Sequence, residues 1–439
     1  MHRPKADLTG RLDLDWSTER RNATRDLKAL RAGGPYALPA VVEDLLDIAT
    51  VTYLTDIATP RGAREEWVRE LDLTFRVRDV AFWNRAADDL HYLLYTLTRD
   101  NIRIRFEGMP GGSDAAAAPG LACDADCVCL LSGGLDSFAG AAMLVHTGRK
   151  PLLVGHQSGN PTTEAAQRHV VSCLSRLSGA PVGWVGSRLS PHKGPKALAF
   201  PAPEEREESR RARSFWFMTL GMAASQVAGV SEVYLCENGL LTAALPLTPA
   251  RSGSLSTRST HPMAVRCFSD ILRRADVGCE IINPFIYQTK GEMLRRVLKR
   301  LVPPTDIIKT VSCWQAGRQP RPCGGCIPCL LRRVALLSAG LPDEACMMDL
   351  LATPEQYRGT EAYGNLMDLL AQASALLSYN DFDLLIAYPQ LLDLDVAGVE
   401  VEDVLKTLKR HAAELHGVLH AHFPATLRLL RAQDPAHLL

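Results

Sequence analysis

At 439 residues, with 46% hydrophobic and 22% charged side chains, the chain has the composition of a soluble globular protein long enough for two or three domains. No run of 18 apolar residues is present, so no transmembrane helix is expected, and the charged and polar residues 1–30 do not read as a secretory signal. Twelve cysteines, four of them in metal-type spacing, point to a reducing compartment rather than a disulfide scaffold, and the expected location is the cytoplasm. Formal net charge is zero but unevenly spread. Residues 286–333 carry ten Lys/Arg against Glu292 and Asp306, and residues 340–404 carry thirteen Asp/Glu against Arg358 alone. The two stretches either face partners of opposite charge or neutralise each other across a contact.

The first 122 residues are expected to form a small α/β domain. Residues 12–16 alternate and predict a strand, as do residues 71–77 and 102–106. Leu38, Val41, Val42, Leu45, Leu46 and Ile48 predict a helix over 37–57, and residues 79–98 predict a second. No catalytic constellation falls here, and the Gly/Ala/Pro-rich stretch 110–120 reads as a linker. Strands and helices then alternate across 123–339. Strands are expected at 128–131, 151–156, 182–186, 232–236 and 280–283, with helices from Ser137 and at about 161–178, 204–229, 262–275 and 290–301. That alternation predicts a mostly parallel sheet with helices on both faces and ligands at the carboxyl ends of its strands. Polar clusters fall at those ends: Ser132–Ser137, His156-Gln157-Ser158, Glu237-Asn238-Gly239 and Asn283-Pro284. Residues 340–439 predict four or five helices and carry no motif.

The chain turns on Ser132-Gly133-Gly134-Leu135-Asp136-Ser137, set between the apolar run 128–131 and a helix. A strand, a glycine loop and a helix start gather backbone N–H groups around an anion, and adjacent glycines let the backbone approach phosphate oxygens. The Ser132 and Ser137 hydroxyls can donate to the same oxygens. Asp136 would repel phosphate unless it holds Mg²⁺ or caps the helix. The loop lacks the lysine of a Walker motif. The cysteines of the neighbouring strand, Cys127 and Cys129, are expected to be buried rather than metal-bound.

Cys313, Cys323, Cys326 and Cys329 form the second strong signal. Three are separated by two residues each, and Gly324 and Gly325 permit the turn between them. Four thiolates with no fifth ligand make a closed, structural zinc site, with an iron–sulfur cluster as the alternative. Arg318, Arg321, Arg332 and Arg333 could offset its negative charge.

The S-G-G-L-D-S loop resembles the pyrophosphate loop of the ATP-pyrophosphatase superfamily. Together with Pro284-x₄-Thr289-Lys290-Gly291-Glu292 and Ser312-Cys313-x₉-Cys-x₂-Cys-x₂-Cys329, it resembles the 7-cyano-7-deazaguanine synthase (QueC-type) family over about residues 125–335. Arg213-Ser214 stands where that family has an Arg-Asn pair. The resemblance implies a Rossmann-like, HUP-type α/β fold binding ATP, Mg²⁺ and Zn²⁺. It implies attack of a 7-carboxy-7-deazaguanine carboxylate on the α-phosphorus of ATP, giving an acyl-adenylate that an amine then takes. Ser132, Gly133, Gly134, Leu135, Asp136 and Ser137 would hold the nucleotide and its Mg²⁺, with His156 and Gln157 beside them. Asp136, Ser137, Lys290 and Arg213 would act on the reacting phosphates. The flanking residues 1–122 and 340–439 are foreign to the stand-alone synthases. In layout the chain is more similar to the QueC-like proteins of bacterial anti-phage operons (Qat-type). That similarity implies transfer to a partner protein's N-terminus instead of ammonia. Two other readings stay open: an ordinary 7-cyano-7-deazaguanine synthase, and a tRNA-modifying enzyme whose support is the basic stretch 286–333.

Overall fold

In a computed structural model, residues 11–32, 34–62, 67–109, 124–246, 260–319 and 321–433 are described. Cys123, the linker 110–120 and most of the Ser/Thr/Arg-rich loop 248–260 lie outside them.

A six-stranded sheet forms the centre. Its strands are β1 (Ala23–Asp26), β4 (Cys127–Leu130), β5 (Pro151–Gln157), β6 (Trp184–Pro191), β7 (Glu232–Tyr234) and β8 (Glu280–Ile282), in the order β1-β6-β5-β4-β7-β8. All neighbours are parallel except β1, which runs antiparallel along β6. Counted from β4, the five parallel strands follow 3-2-1-4-5, the doubly wound order, whose crevice opens where the order reverses, between β4 and β7. β4 is buried at all four positions. A central parallel strand is covered on both faces, and so Cys-Val-Cys-Leu shows no alternation. The fold class expected from sequence, α/β around a parallel sheet, is the one observed.

The amino-terminal residues differ from expectation in three ways. Residues 12–16 pair with nothing as a strand; the Asp15 carboxylate instead accepts hydrogen bonds from the Ser17 and Thr18 amides, which turns the chain there. The first strand is β1, and it extends the central sheet rather than a separate one. The remaining strands, β2 (Glu70–Val77) and β3 (Asn101–Gly108), form a parallel pair of their own. The helix expected over 79–98 breaks at Ala86 into Val80–Arg85 and Ala87–Thr98.

The helix Ala40–Ala58 carries buried Leu45, Leu46, Ile48, Tyr53 and Leu54. They share one hydrophobic cluster with Phe215, Trp216 and Leu220 of the helix Arg213–Ala228 and with Val128 and Leu130 of β4. That second helix begins at Arg213, nine residues later than the expected start at about 204. The Glu207 carboxylate accepts from the Arg61 amide at 2.8 Å, and the Arg211 guanidinium lies over the Trp67 ring at 4.5 Å. These contacts with the amino-terminal region override the local helical preference of residues 206–212.

Five carboxy-terminal helices, Glu361–Ser378, Asp381–Ala387, Leu392–Val396, Val401–His422 and Pro424–Arg431, enclose a second cluster with Leu330, Leu331 and Val334 of the helix Ile327–Ser338. The acidic and basic stretches do meet: Arg332 pairs with Glu344 at 2.6 Å, and Arg333 with Asp343 at 2.6 Å and Asp349 at 2.5 Å. No described helix is long and apolar enough to cross a membrane.

Candidate active site

The loop after β4 is braced from within. The Ser132 amide donates to Ser137 Oγ at 3.2 Å, the two hydroxyls lie 3.0 Å apart, and the Gly134 amide donates to Ser132 Oγ at 3.3 Å. Gly133 has φ +86°, and a Cβ there would lie 3.2 Å from the Gln167 nitrogen and 3.3 Å from Ala166 Cβ. Only glycine takes that turn without strain against the helix Pro161–Ser178. From that helix, Gln167 Nε2 donates to the Leu131 carbonyl at 3.1 Å and the His156 carbonyl at 3.3 Å, tying the ends of β4 and β5 together. On the other side the Val311 amide donates to the Gly133 carbonyl at 3.0 Å. The loop is thus a fixed cradle whose helix, Leu135–His146, starts at the carboxyl edge of the sheet with its N-terminus toward the crevice.

Asp136 is the junction of the site. One carboxylate oxygen is paired with the Lys290 ammonium; the other accepts from Asn238 Nδ2 at 2.6 Å and from the Asn238 amide at 3.3 Å. Three segments distant in sequence therefore meet there. Lys290 is not a surface lysine: its side chain is 13% exposed. It sits at the first turn of a helix capped reciprocally by Thr289 and Glu292, whose side chains exchange hydrogen bonds with each other's amides at 3.0 Å. The helix Val401–His422 clamps this turn, Arg410 reaching Glu292 at 2.9 Å and the Tyr287 carbonyl at 2.8 Å, while Glu414 pairs with Arg295 at 2.6 Å. Gly291 permits the approach, since a Cβ there would meet Ser338 Oγ at 2.2 Å.

Sequence reasoning placed Glu237 and Asn238 at a strand end but gave them no role. Glu237 follows β7 across the crevice from the loop. Its Oε2 accepts from Thr260 Oγ1 at 2.8 Å, and Asn283 pins its backbone, accepting from the amide at 3.2 Å and donating to the carbonyl at 2.9 Å. Burial and then the Asp136 charge push the Glu237 carboxyl above its ordinary range, while Thr260, Lys290 and Arg213 oppose them. Arg213 is exposed at the start of its helix, and its charge acts on Glu237 and His156 alike. Among the described residues no ion pair holds it. His156 lies behind the strand end, 3% exposed, with Nδ1 accepting from Trp216 Nε1 at 3.2 Å and with Tyr53 and Phe217 edge-on to its ring. Burial and then Arg213 push it down to about 3, so it is a neutral ring. Gln157 follows as the last residue of β5 and is half-buried.

The four cysteines converge. Their sulfurs all lie within 4.8 Å of one another, and Cys323 and Cys329 are 3.9 Å apart, close to the edge of about 3.8 Å that Zn–S bonds of about 2.3 Å impose on a tetrahedron. Gly324, at φ +82°, turns the chain between them, and Cys326 caps the helix Ile327–Ser338. Amide groups point at the sulfurs: Gln315 and Cys323 at Cys313 (3.3 and 3.4 Å), and Cys326 at Cys323 (3.4 Å). Such donors stabilise thiolate ligands, and the cluster could hold zinc. Arg332 and Arg333 do not serve as its counter-charges, contrary to expectation, because both are paired with carboxylates. Arg332 also donates to Thr310 Oγ1 at 2.7 Å and the Ile308 carbonyl at 3.1 Å. It thereby fixes the strap that runs from the cysteines to the phosphate-type loop. Cys127 and Cys129 are fully buried in β4, as expected.

The family model of the queuosine biosynthesis protein QueC matches residues 260–340, a segment that contains Lys290 and all four cysteines. The chain is 27% identical over 253 residues to the 7-cyano-7-deazaguanine synthase of Frankia casuarinae, covering 54% of this chain and 97% of that enzyme. It is 26% identical to the synthase of Syntrophobacter fumaroxidans (49% and 93%) and 25% identical to that of a Synechococcus species (50% and 97%). About half of this chain is thus similar to nearly the whole of those enzymes. No solved structure matches it.

Proposed function

We propose that the chain activates a 7-deazaguanine carboxylate at the expense of ATP, with release of pyrophosphate, and passes the acyl group from the adenylate to an amine, that of a partner protein's N-terminus, in anti-phage defence. The observation that carries the activation step is the meeting of the Ser132–Ser137 cradle with Asp136, Lys290 and Asn238 at the carboxyl end of a doubly wound sheet. A substrate carboxylate oxygen attacks the α-phosphorus as the bond to the pyrophosphate oxygen breaks. The loop amides and the Ser132 and Ser137 hydroxyls donate to the departing oxygens. Lys290 and Arg213 offset the charge that develops there. Asp136 is the residue that would hold Mg²⁺, which supplies charge neutralisation on the phosphates. The four cysteines would hold zinc in a structural role, with no ligand position left for chemistry. An amine then attacks the acyl carbon, AMP leaves with the C–O bond, and the amine proton passes to solvent or a nearby base.

The acceptor is argued from what lies outside the similar half. Phe382 and Ile386, one turn apart and 71% and 64% exposed, and Leu392 and Val396, also one turn apart and 53% and 58% exposed, are apolar surface beyond the QueC-like segment. Exposed Asp381, Asp383 and Asp395 are their neighbours in sequence, Asp381 pairing with Lys409 at 2.6 Å. Exposed apolar side chains with a polar rim are what a docked protein covers. The similarity to 7-cyano-7-deazaguanine synthases favours a second reading, a synthase that uses ammonia and forms the nitrile. Mass spectrometry of the base, after incubation with Mg-ATP and 7-carboxy-7-deazaguanine plus either ammonium or a peptide with a free N-terminus, separates the two. Our reading predicts AMP together with an amide-linked peptide. Nitrile formed only with ammonium selects the synthase.

A further inference from the structure

We infer that His169, Cys173 and Asp306 form a second metal site, distinct from the four-cysteine cluster, that takes a zinc-type divalent cation. His169 and Cys173 lie one turn apart on the helix Pro161–Ser178, so their side chains leave the same face. Asp306 comes from the short helix Pro304–Ile307 that faces it. One ligand atom from each lies within 4.8 Å of the other two. Cys173 Sγ is 3.3 Å from His169 Nε2, and Asp306 Oδ1 is 3.5 Å from the same nitrogen. Tetrahedral zinc with ordinary bond lengths sets these edges at about 3.5 Å for N to S and about 3.4 Å for N to O. The side chains are therefore already spaced as ligands.

The hydrogen bonds point the same way. Around His169 Nε2 stand Cys173 Sγ, Asp306 Oδ1 and, at 3.2 Å, the Asp306 carbonyl. A neutral ring nitrogen either donates its one proton or accepts from the Cys173 thiol, so it cannot satisfy all three neighbours at once. A cation between nitrogen, sulfur and oxygen serves all the side chains at once. Arg176 is placed as an outer partner. Its Nη2 donates to Asp306 Oδ2 at 2.7 Å, leaving Oδ1 as the inward oxygen, and to Cys173 Sγ at 3.2 Å. Carboxylates and thiolates on zinc are commonly oriented by such donors. Lys309, 3.7 Å from Oδ1, is the competing cation; its side chain is 59% exposed, so it can withdraw into solvent. On binding, Cys173 loses its thiol proton to solvent, and three protein ligands leave one position for water.

The place of the site gives it a purpose. Gln167, on the same helix, ties the ends of β4 and β5, and Val311, five residues beyond Asp306, holds the Gly133 carbonyl. A cation joining the helix to the strap would lock both walls of the loop. The test is zinc content of the full chain by mass spectrometry after reloading with zinc and removal of free metal. The expected result is about two zinc per chain, falling to about one in Cys173→Ser and in Asp306→Asn, with the four-cysteine site intact. Cobalt titration of the unaltered protein is the check that does not depend on a variant. It should give two saturating phases, the second lacking the intense absorption of a tetrathiolate. One zinc per chain, unchanged in both variants, together with a single cobalt phase, overturns the inference. Neither readout depends on what the enzyme does with ATP.

Discussion

Asp136 is held by two groups from outside its own loop, and each has a different consequence. Lys290 neutralises it and Asn238 orients it. Asp136→Ala removes a charged hydrogen-bonding partner from both and should lower pyrophosphate release about 10²- to 10³-fold with the fold intact, measured by a coupled phosphate assay and far-UV dichroism. Gly133→Ala forces a side chain into φ +86° beside Gln167 and should cost about 1–2 kcal/mol, read as a lower urea midpoint. The buried imidazoles contribute to the pH dependence of stability. His156 is pushed down to about 3 by burial and then Arg213, and His411 to about 4 by burial and then Lys290. Their unfolded value is about 6.5. Between those values the unfolded chain binds more protons, so stability rises with pH. Their contribution is complete above about 6.5 and is lost as pH falls toward the folded values, at up to about 1.4 kcal/mol per pH unit per histidine. Urea midpoints between pH 7 and about pH 4 should fall steeply, and His156→Phe should flatten the slope; equal slopes would contradict the assignment. The loop residues and Lys290 were legible because their neighbours in sequence carry the pattern. Asn238 was not given its role, because its contact with Asp136 spans 102 positions and leaves no local signature.

The elements divide along the same line. β4, β5 and the helix Pro161–Ser178 were readable from the sequence, and the structure adds an Asn160 cap that accepts from the Thr162 and Thr163 amides. The start of the Arg213 helix was not, because Arg61, Trp67 and Glu207 decide it from a distance. Nor was β1, which has four residues and gains its place only by pairing with β6. The four-cysteine segment was legible in spacing alone, and it has an energetic consequence. Binding a structural metal is folding free energy for the segment that carries its ligands. Cys326→Ser should release one zinc and lower the melting temperature, and a chelator should lower it further in the unaltered protein than in the variant. Arg410→Ala should loosen the turn that bears Lys290. Turnover should fall several-fold with little change in melting temperature, since Arg410 is partly exposed.

At the scale of the molecule, the amino-terminal residues do not form a core of their own. Leu45, Tyr53 and Trp83 belong to one cluster with Trp216, Val128 and Val233. Fragments 1–122 and 123–439, produced separately, are each expected to aggregate, and to recover a folded complex by size exclusion when produced together. The carboxy-terminal helices reach the site through Arg410 and Glu414, so this flanking region buttresses the turn that bears Lys290. The charge segregation seen in the sequence resolves partly into internal pairs around Arg332 and Arg333, leaving the apolar and acidic surface near Phe382 as its outward part.

The central claim is that this cradle adenylates a deazaguanine carboxylate. It is tested most directly by exchange of labelled pyrophosphate into ATP, which requires the acid and the reversible activation step but no acceptor. The account predicts exchange that depends on 7-carboxy-7-deazaguanine and disappears in Ser137→Ala. Absence of exchange with that acid, in zinc-loaded protein supplied with Mg-ATP, would contradict it.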